Sequence, residues 1–116
     1  MSYLFELDDE RVWSPANRVA QLYLGMLDTV AQLLDRPTGL VDQGSGDWYA
    51  VDRVEFPALV TEMVRAFAAS SHWEFRLMIG SLLGVSIGIL DRAGIEIETR
   101  TDEERKAVTE LRDAAL

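Results

Sequence analysis

Apolar residues recur every three or four positions in three long segments of the chain, and this spacing predicts three core helices. The segments cover about residues 14–35, 53–70 and 73–92. The third is apolar around most of a helical circumference, so we expect it to be the buried centre of the fold. The first carries a broad stripe, widened by Leu22 and Leu24, which predicts neighbours on two sides. The main stripe of the first segment is Val19, Tyr23, Met26, Leu27, Val30, Leu33 and Leu34.

Polar residues at the ends of these segments have the identities that begin and end helices. Ser14 is the predicted N-cap of the first helix, with Pro15 in its first turn. Asp52 and Glu55 are spaced as a capping box ahead of the second helix. Gly94 follows the third helix and is expected to be its C-terminal cap.

Shorter patterns predict a small β element and a fourth helix. Residues 3–7 are β-prone, residues 95–99 alternate between apolar and polar, and the two segments could pair as a two-stranded sheet. Residues 36–52 hold proline and glycine without a helical period, so they predict a long loop, with a short strand at 48–51. Residues 101–116 begin with a capping box and predict a peripheral C-terminal helix. The expected fold class is mainly α, or α+β, with a compact helical bundle.

Composition limits the number of domains and the chemistry. A chain of 116 residues with 48% apolar content fits one globular domain over residues 1–116. The absence of cysteine excludes disulfides and thiolate sites, and a single histidine, His72, argues against zinc sites and catalytic triads. The longest uncharged apolar stretch, Leu77 to Leu90, is shorter than the roughly 20 residues that a bilayer requires. We therefore expect a cytoplasmic protein without a membrane segment.

The charge balance is strongly acidic, with 20 Asp and Glu residues against 11 Lys and Arg residues and a net charge of −9. Such a surface repels phosphate backbones, so nucleic-acid binding is not expected. The acidic excess serves either solubility or the attraction of a basic protein partner.

Gly80, Gly84 and Gly88 recur every fourth residue in the third helix. Glycine is unfavourable inside a helix, so three on one face need a reason. Without side chains they let another backbone approach closely. Two interpretations stay open: a close helix crossing inside the protein, or the seam of a homodimer.

The loop over 36–52 carries the candidate interaction patch. Asp42, Asp47 and Asp52 surround two large aromatic residues, Trp48 and Tyr49. The aspartates lack the ligand order of a calcium-binding EF-hand loop. The aromatic residues either fold back onto the core or, if exposed, form an acidic patch with an aromatic centre for a basic partner.

Four short segments resemble a family of small actinobacterial proteins known only as a domain of unknown function, family 6086. The segments are Tyr3-Leu4-Phe5-Glu6-Leu7, Val12-Trp13-Ser14-Pro15-Ala16-Asn17, Pro37-Thr38-Gly39-Leu40 and Leu90-Asp91-Arg92-Ala93-Gly94. The resemblance covers about residues 2–94 and leaves the last helix as a variable tail. It implies a bacterial, cytosolic origin and transfers no activity, cofactor or functional residue.

No catalytic, metal or cofactor constellation stands out, so the leading hypothesis is a non-catalytic acidic interaction protein. Its most concrete form is an immunity or antitoxin-like protein that masks a basic partner. A homodimeric structural or regulatory module is the first alternative. A small-molecule binder or enzyme is the second, with a pocket between the first and third helices near Tyr23, His72 and Trp73.

Overall fold

The computed structural model describes residues 2–114 and has four helices and a four-stranded sheet, an α+β fold. The elements are β1 (Leu4–Leu7), β2 (Glu10–Trp13), α1 (Asn17–Leu33), β3 (Leu40–Asp42), β4 (Trp48–Val51), α2 (Glu55–Ala69), α3 (Trp73–Ala93) and α4 (Asp102–Ala114). Two compact units make up the chain, unit 1 (Met1–Leu59) and unit 2 (Val60–Leu116), and their boundary falls within α2.

The sheet of unit 1 consists of two hairpins joined side by side, in the order β2-β1-β4-β3. The β1–β2 hairpin turns through Asp8 and Asp9, whose φ angles of 51° and 66° are those of a type I′ turn. The β3–β4 hairpin is also antiparallel, whereas β1 and β4 pair in parallel. The segment predicted as a long loop therefore contains two of the strands.

The predicted two-stranded sheet between residues 3–7 and 95–99 is wrong. Residues 4–7 pair with β2 and β4 instead, and residues 95–99 form no strand. Ile95 and Ile97 are half-buried and Glu96 and Glu98 are exposed, as the alternation predicted. Alternation reports a half-buried extended segment, and it carries no information on whether a second strand lies alongside.

Helix α1 packs on one face of the sheet through an aromatic cluster. Tyr23 meets the rings of Phe5 and Trp13 edge-on, with centroids 6.4 and 5.0 Å away. The helix begins at Asn17, so the prediction of Ser14 as its N-cap is wrong. The Ser14 hydroxyl donates to the carbonyl oxygen of Tyr3 (3.1 Å) and thereby holds this segment beside the N-terminal residues.

Helix α2 begins as predicted. Asp52 Oδ1 accepts hydrogen bonds from the amides of Val54 and Glu55, both at 2.8 Å, which confirms Asp52 as the N-terminal cap. Pro57 lies in the first turn of α2, the part of a helix in which proline is tolerated.

Helix α3 ends at Gly94, which confirms the predicted C-terminal cap; its φ of 73° is in the left-handed region. Its burial is less complete than its composition predicts, because Trp73, Leu77 and Met78 are largely exposed near its start. With 21 residues, α3 is long and apolar enough to cross a bilayer. Half of its most apolar stretch is buried, and core helices of globular proteins meet the same criteria of length and composition.

Helix α4 packs against α3 within unit 2. Its first turn has the predicted capping box, in which the Glu104 amide donates to Thr101 Oγ1 (3.1 Å). Ala107 and Val108 are buried, and Arg112 donates to both carboxylate oxygens of Asp91 at 2.8 and 2.9 Å. Residues 115 and 116 of the predicted C-terminal helix lie outside the described residues.

Candidate functional site

The sheet of unit 1 has one buried face and one open face. Phe5 and Leu7 point to the buried face, whereas Glu6 points to the other side, because successive side chains alternate along a strand. Trp48 lies on the open face and is 43% exposed. Parallel strand pairs usually have both faces covered, so the open face beside β1 and β4 is an unusual surface.

An open depression of about 550 Å³ lies on this face. We call it the open-face depression; its lining residues are Glu6, Asp8, Asp9, Val41, Gln43, Trp48, Ala50, Val51, Asp52, Arg53 and Val54. Four of these side chains are carboxylates and one is a guanidinium, so the depression is acidic. An aromatic ring within an acidic rim is suited to a cationic partner.

Two side-chain contacts fix the geometry of the depression. The indole Nε1 of Trp48 donates a hydrogen bond to Glu6 Oε1, which orients the ring on the sheet. Arg53 donates to Asp8 Oδ2 from Nε (3.0 Å) and from Nη2 (2.5 Å). This ion pair is exposed to water on both sides, so it stabilises the fold little.

The structure separates the two aromatic residues of the predicted patch. Trp48 lies in the open-face depression, whereas Tyr49 points to the opposite face and stacks on Phe5, with centroids 5.5 Å apart. Burial raises the pKa of the Tyr49 phenol above its ordinary value of 10.0, and the Asp42 carboxylate adds to the rise. Tyr49 is therefore neutral at physiological pH and part of the packing of unit 1.

The three aspartates of the predicted patch hydrogen-bond to nearby groups. Asp42 Oδ1 accepts from the amides of Gly44 (2.8 Å) and Gly46 (3.2 Å), which shapes the β3–β4 loop. Asp47 Oδ1 accepts from the Ser45 hydroxyl at 2.7 Å. Among the described residues, 2–114, no three His, Asp or Glu side chains converge on a possible metal position.

Asp52 is the one predicted aspartate that lines the open-face depression. The amides of Glu55 and Val54 that donate to its carboxylate lower the pKa of Asp52 below its ordinary value of 3.8. Asp52 therefore keeps its negative charge to a lower pH than an ordinary aspartate does.

Glu6, Asp8, Asp9 and Arg53 were not predicted as site residues. The first three belong to β1 and its turn, which lie next to Trp48 only because β1 and β4 pair in parallel. The alternation of Glu6 between Phe5 and Leu7 indicated that Glu6 points away from the core. No local pattern indicates the second strand to which it is paired.

The glycines of α3 lie in the more buried part of that helix. Gly80 and Gly84 are buried and Gly88 is half-buried. A Cβ atom at Gly80 would lie 3.5 Å from Phe67 Cε2 and 3.7 Å from Leu111 Cδ2. At Gly80, neighbours from α2 and α4 of the same unit thus lie within ordinary contact distance.

The three residues of the predicted interhelical pocket differ in environment. Tyr23 is buried in the aromatic cluster of unit 1, whereas His72 and Trp73 are exposed at the start of α3.

Fold and site define a small α+β protein whose mixed sheet presents an acidic open face with a central tryptophan. The chain belongs to the Family of unknown function (DUF6086), whose model matches residues 1–116. The match confirms the resemblance drawn from the sequence and extends it to the last helix. No curated protein and no solved structure matches the chain.

Proposed function

We propose that this protein is a non-catalytic interaction protein that binds a basic protein through the open-face depression, in the manner of an immunity or antitoxin-like partner. The supporting observation is the exposed indole of Trp48 within a rim of carboxylates on an uncovered sheet face. A cationic side chain of the partner would stack on the indole while neighbouring carboxylates neutralise its charge. We further propose, from composition alone, that it acts in the cytoplasm.

The net charge of −9 supports the same role, because it acts on a partner before the two proteins are in contact. An acidic surface accelerates the approach of a basic protein, and this steering weakens as salt is added. The aromatic centre would then supply affinity after the encounter, since buried aromatic residues dominate many interfaces.

The test is capture from the native host with tagged protein at low and high salt. Trp48→Ala removes the aromatic centre and Glu6→Lys reverses a charge beside it. Glu98→Lys is the matched control, because Glu98 is an exposed carboxylate of unit 2 outside the depression. We expect wild type and Glu98→Lys to recover the same basic protein at low salt, and the two depression variants to lose it.

Thermal unfolding of each variant checks that a loss of capture is not a loss of fold. Recovery of no basic protein by the wild type would contradict the proposal. Equal recovery by all variants would show that binding, if present, uses another surface.

A further inference from the structure

Helix α1 carries a second apolar stripe beside the one that enters the core. The core stripe is Ala20, Tyr23, Leu27 and Ala31, all buried. The second, which we call the outer stripe, is Val19, Leu22, Met26, Val30 and Leu33. Val19, Leu22 and Leu33 are 52%, 65% and 69% exposed, and Met26 and Val30 are partly exposed. Within residues 2–114 the chain therefore covers the outer stripe only in part, and least at Val19, Leu22 and Leu33.

The spacing of the outer stripe is symmetric about Met26. Val19 and Leu33 lie seven residues before and after it, and Leu22 and Val30 lie four before and after it. If two copies of this helix pair antiparallel about a two-fold axis at Met26, each residue of the outer stripe lies opposite another residue of the outer stripe. Val19 would meet Leu33 of the second copy, and Leu22 would meet Val30. Self-complementarity of this kind is the requirement of a two-fold symmetric interface.

Charge also favours α1 as the place where two copies meet. Each copy carries a net charge of −9, so most contacts between copies oppose like charges. Only Arg18 and Asp28 are charged among the 17 residues of α1, whereas eight of the 13 residues of α4 are charged. Depletion of charge at the centre of an exposed apolar surface is typical of protein interfaces.

We propose that α1 binds α1 of a second copy in an antiparallel, two-fold symmetric pair centred on Met26. One pair of helices of this length, about 25 Å, covers less than the roughly 800 Å² per partner of a standard stable interface. The dimer is therefore weak and exchanges with monomer. It uses α1 and leaves the open-face depression free, so it does not depend on the proposed function.

Sedimentation equilibrium over a concentration range from about 20 μM to 1 mM measures this association directly. We expect a reversible monomer–dimer equilibrium in the wild type. Leu22→Glu should raise the dimer dissociation constant about tenfold or more, because it places a carboxylate at the apolar seam. Leu77→Glu is the matched control: Leu77 is equally exposed, at 68%, but lies on α3 and should leave the constant unchanged.

Disulfide trapping locates the two-fold axis. Because the chain has no native cysteine, any disulfide must form between the introduced cysteines. Met26→Cys places two thiols together at the axis, so it should oxidise to a covalent dimer faster than Leu77→Cys or Leu22→Cys. The double variant Leu22→Cys, Val30→Cys should also crosslink, because these positions face each other across the axis. A wild type that stays monomeric over the whole range would overturn the proposal. Equal crosslinking rates at all single positions, or a dimer unaffected by Leu22→Glu, would do the same.

Discussion

Gly39 lies one residue before β3 at a φ of 75°, and its carbonyl oxygen accepts a hydrogen bond from the Asp52 amide (2.7 Å). A Cβ atom there would lie 2.3 Å from the backbone nitrogen of Phe56, closer than any side chain tolerates. Gly39→Ala therefore combines an unfavourable backbone angle with a collision that only backbone movement can relieve. We expect it to lower the free energy of unfolding by about 3 kcal/mol or more, measured by urea denaturation.

Gly46 provides the control for this prediction. It has a similar φ of 81°, but an added Cβ would meet nothing within 4 Å. Gly46→Ala should lower the free energy of unfolding by only about 1 kcal/mol, because the alanine is held in the left-handed conformation but collides with nothing. Similar losses in the two variants would mean that the contact with Phe56 does not constrain position 39.

Asp52 makes the stability of the chain depend on pH in a predictable direction. Because its pKa is lower in the folded state than its ordinary 3.8, its charged form stabilises the fold. That contribution is complete above the unfolded pKa and is lost as the pH falls through the folded pKa. Asp52→Asn still caps a helix but does not titrate there.

The difference in urea midpoint between wild type and Asp52→Asn isolates this residue from the other carboxylates. We expect the wild type to lose its advantage over the variant between about pH 5 and pH 2. A difference that stays constant across this range would show that the cap does not depend on the charge of Asp52.

At the scale of the element, substitution of Gly80 tests how much the glycines of α3 contribute to its packing. The space at Gly80 accepts a methyl group at ordinary contact distances, so Gly80→Ala should gain helix propensity without a collision. We expect an increase of about 0.5–1 kcal/mol in the free energy of unfolding, measured by urea denaturation. Gly25→Ala adds a methyl group where there is no neighbour, and its effect gives the propensity gain alone. Destabilisation by the first variant only would show that α3 needs a bare backbone at Gly80.

The helices were more predictable than the sheet, for a physical reason. Caps such as Asp52 and Gly94 act within a few residues, so the sequence beside a helix reports its ends. The start of α1 was missed because the Ser14 hydroxyl is bonded to Tyr3, 11 residues earlier in the chain. Strand pairing is set by distant partners, so the strands at 4–7 and 48–51 were recognised while their mutual contact was not.

The candidate site shows the same division. Trp48 and Asp52 were predicted from their own neighbourhood, where large aromatic residues among aspartates and glycines stand out. Glu6, Asp8 and Asp9 join them from β1 and its turn, roughly 40 positions earlier in the chain. Adjacency in the sequence predicted that Tyr49 and Trp48 share one patch, but adjacent residues in a strand point to opposite faces.

At the scale of the whole molecule, charge is distributed unevenly over the elements. The open-face depression holds four carboxylates and one guanidinium, whereas the outer stripe of α1 holds no charge at all. Under the two proposals, the open-face depression would attract a cationic partner, and α1 would offer a second copy a surface without like-charge repulsion. The two proposed interactions use different elements, so single substitutions can remove either one and leave the other intact.

The parallel pairing of β1 with β4 also constrains the order of folding. Each hairpin closes a short loop and forms within microseconds, but joining the hairpins closes a loop of more than 40 residues, as in the bond from the Leu4 amide to the Asp47 carbonyl (2.9 Å). During synthesis, the first hairpin leaves the ribosome well before β4 exists. Until residue 51 emerges, the edge of β1 that later pairs with β4 stays unpaired and can template the pairing of other extended chains.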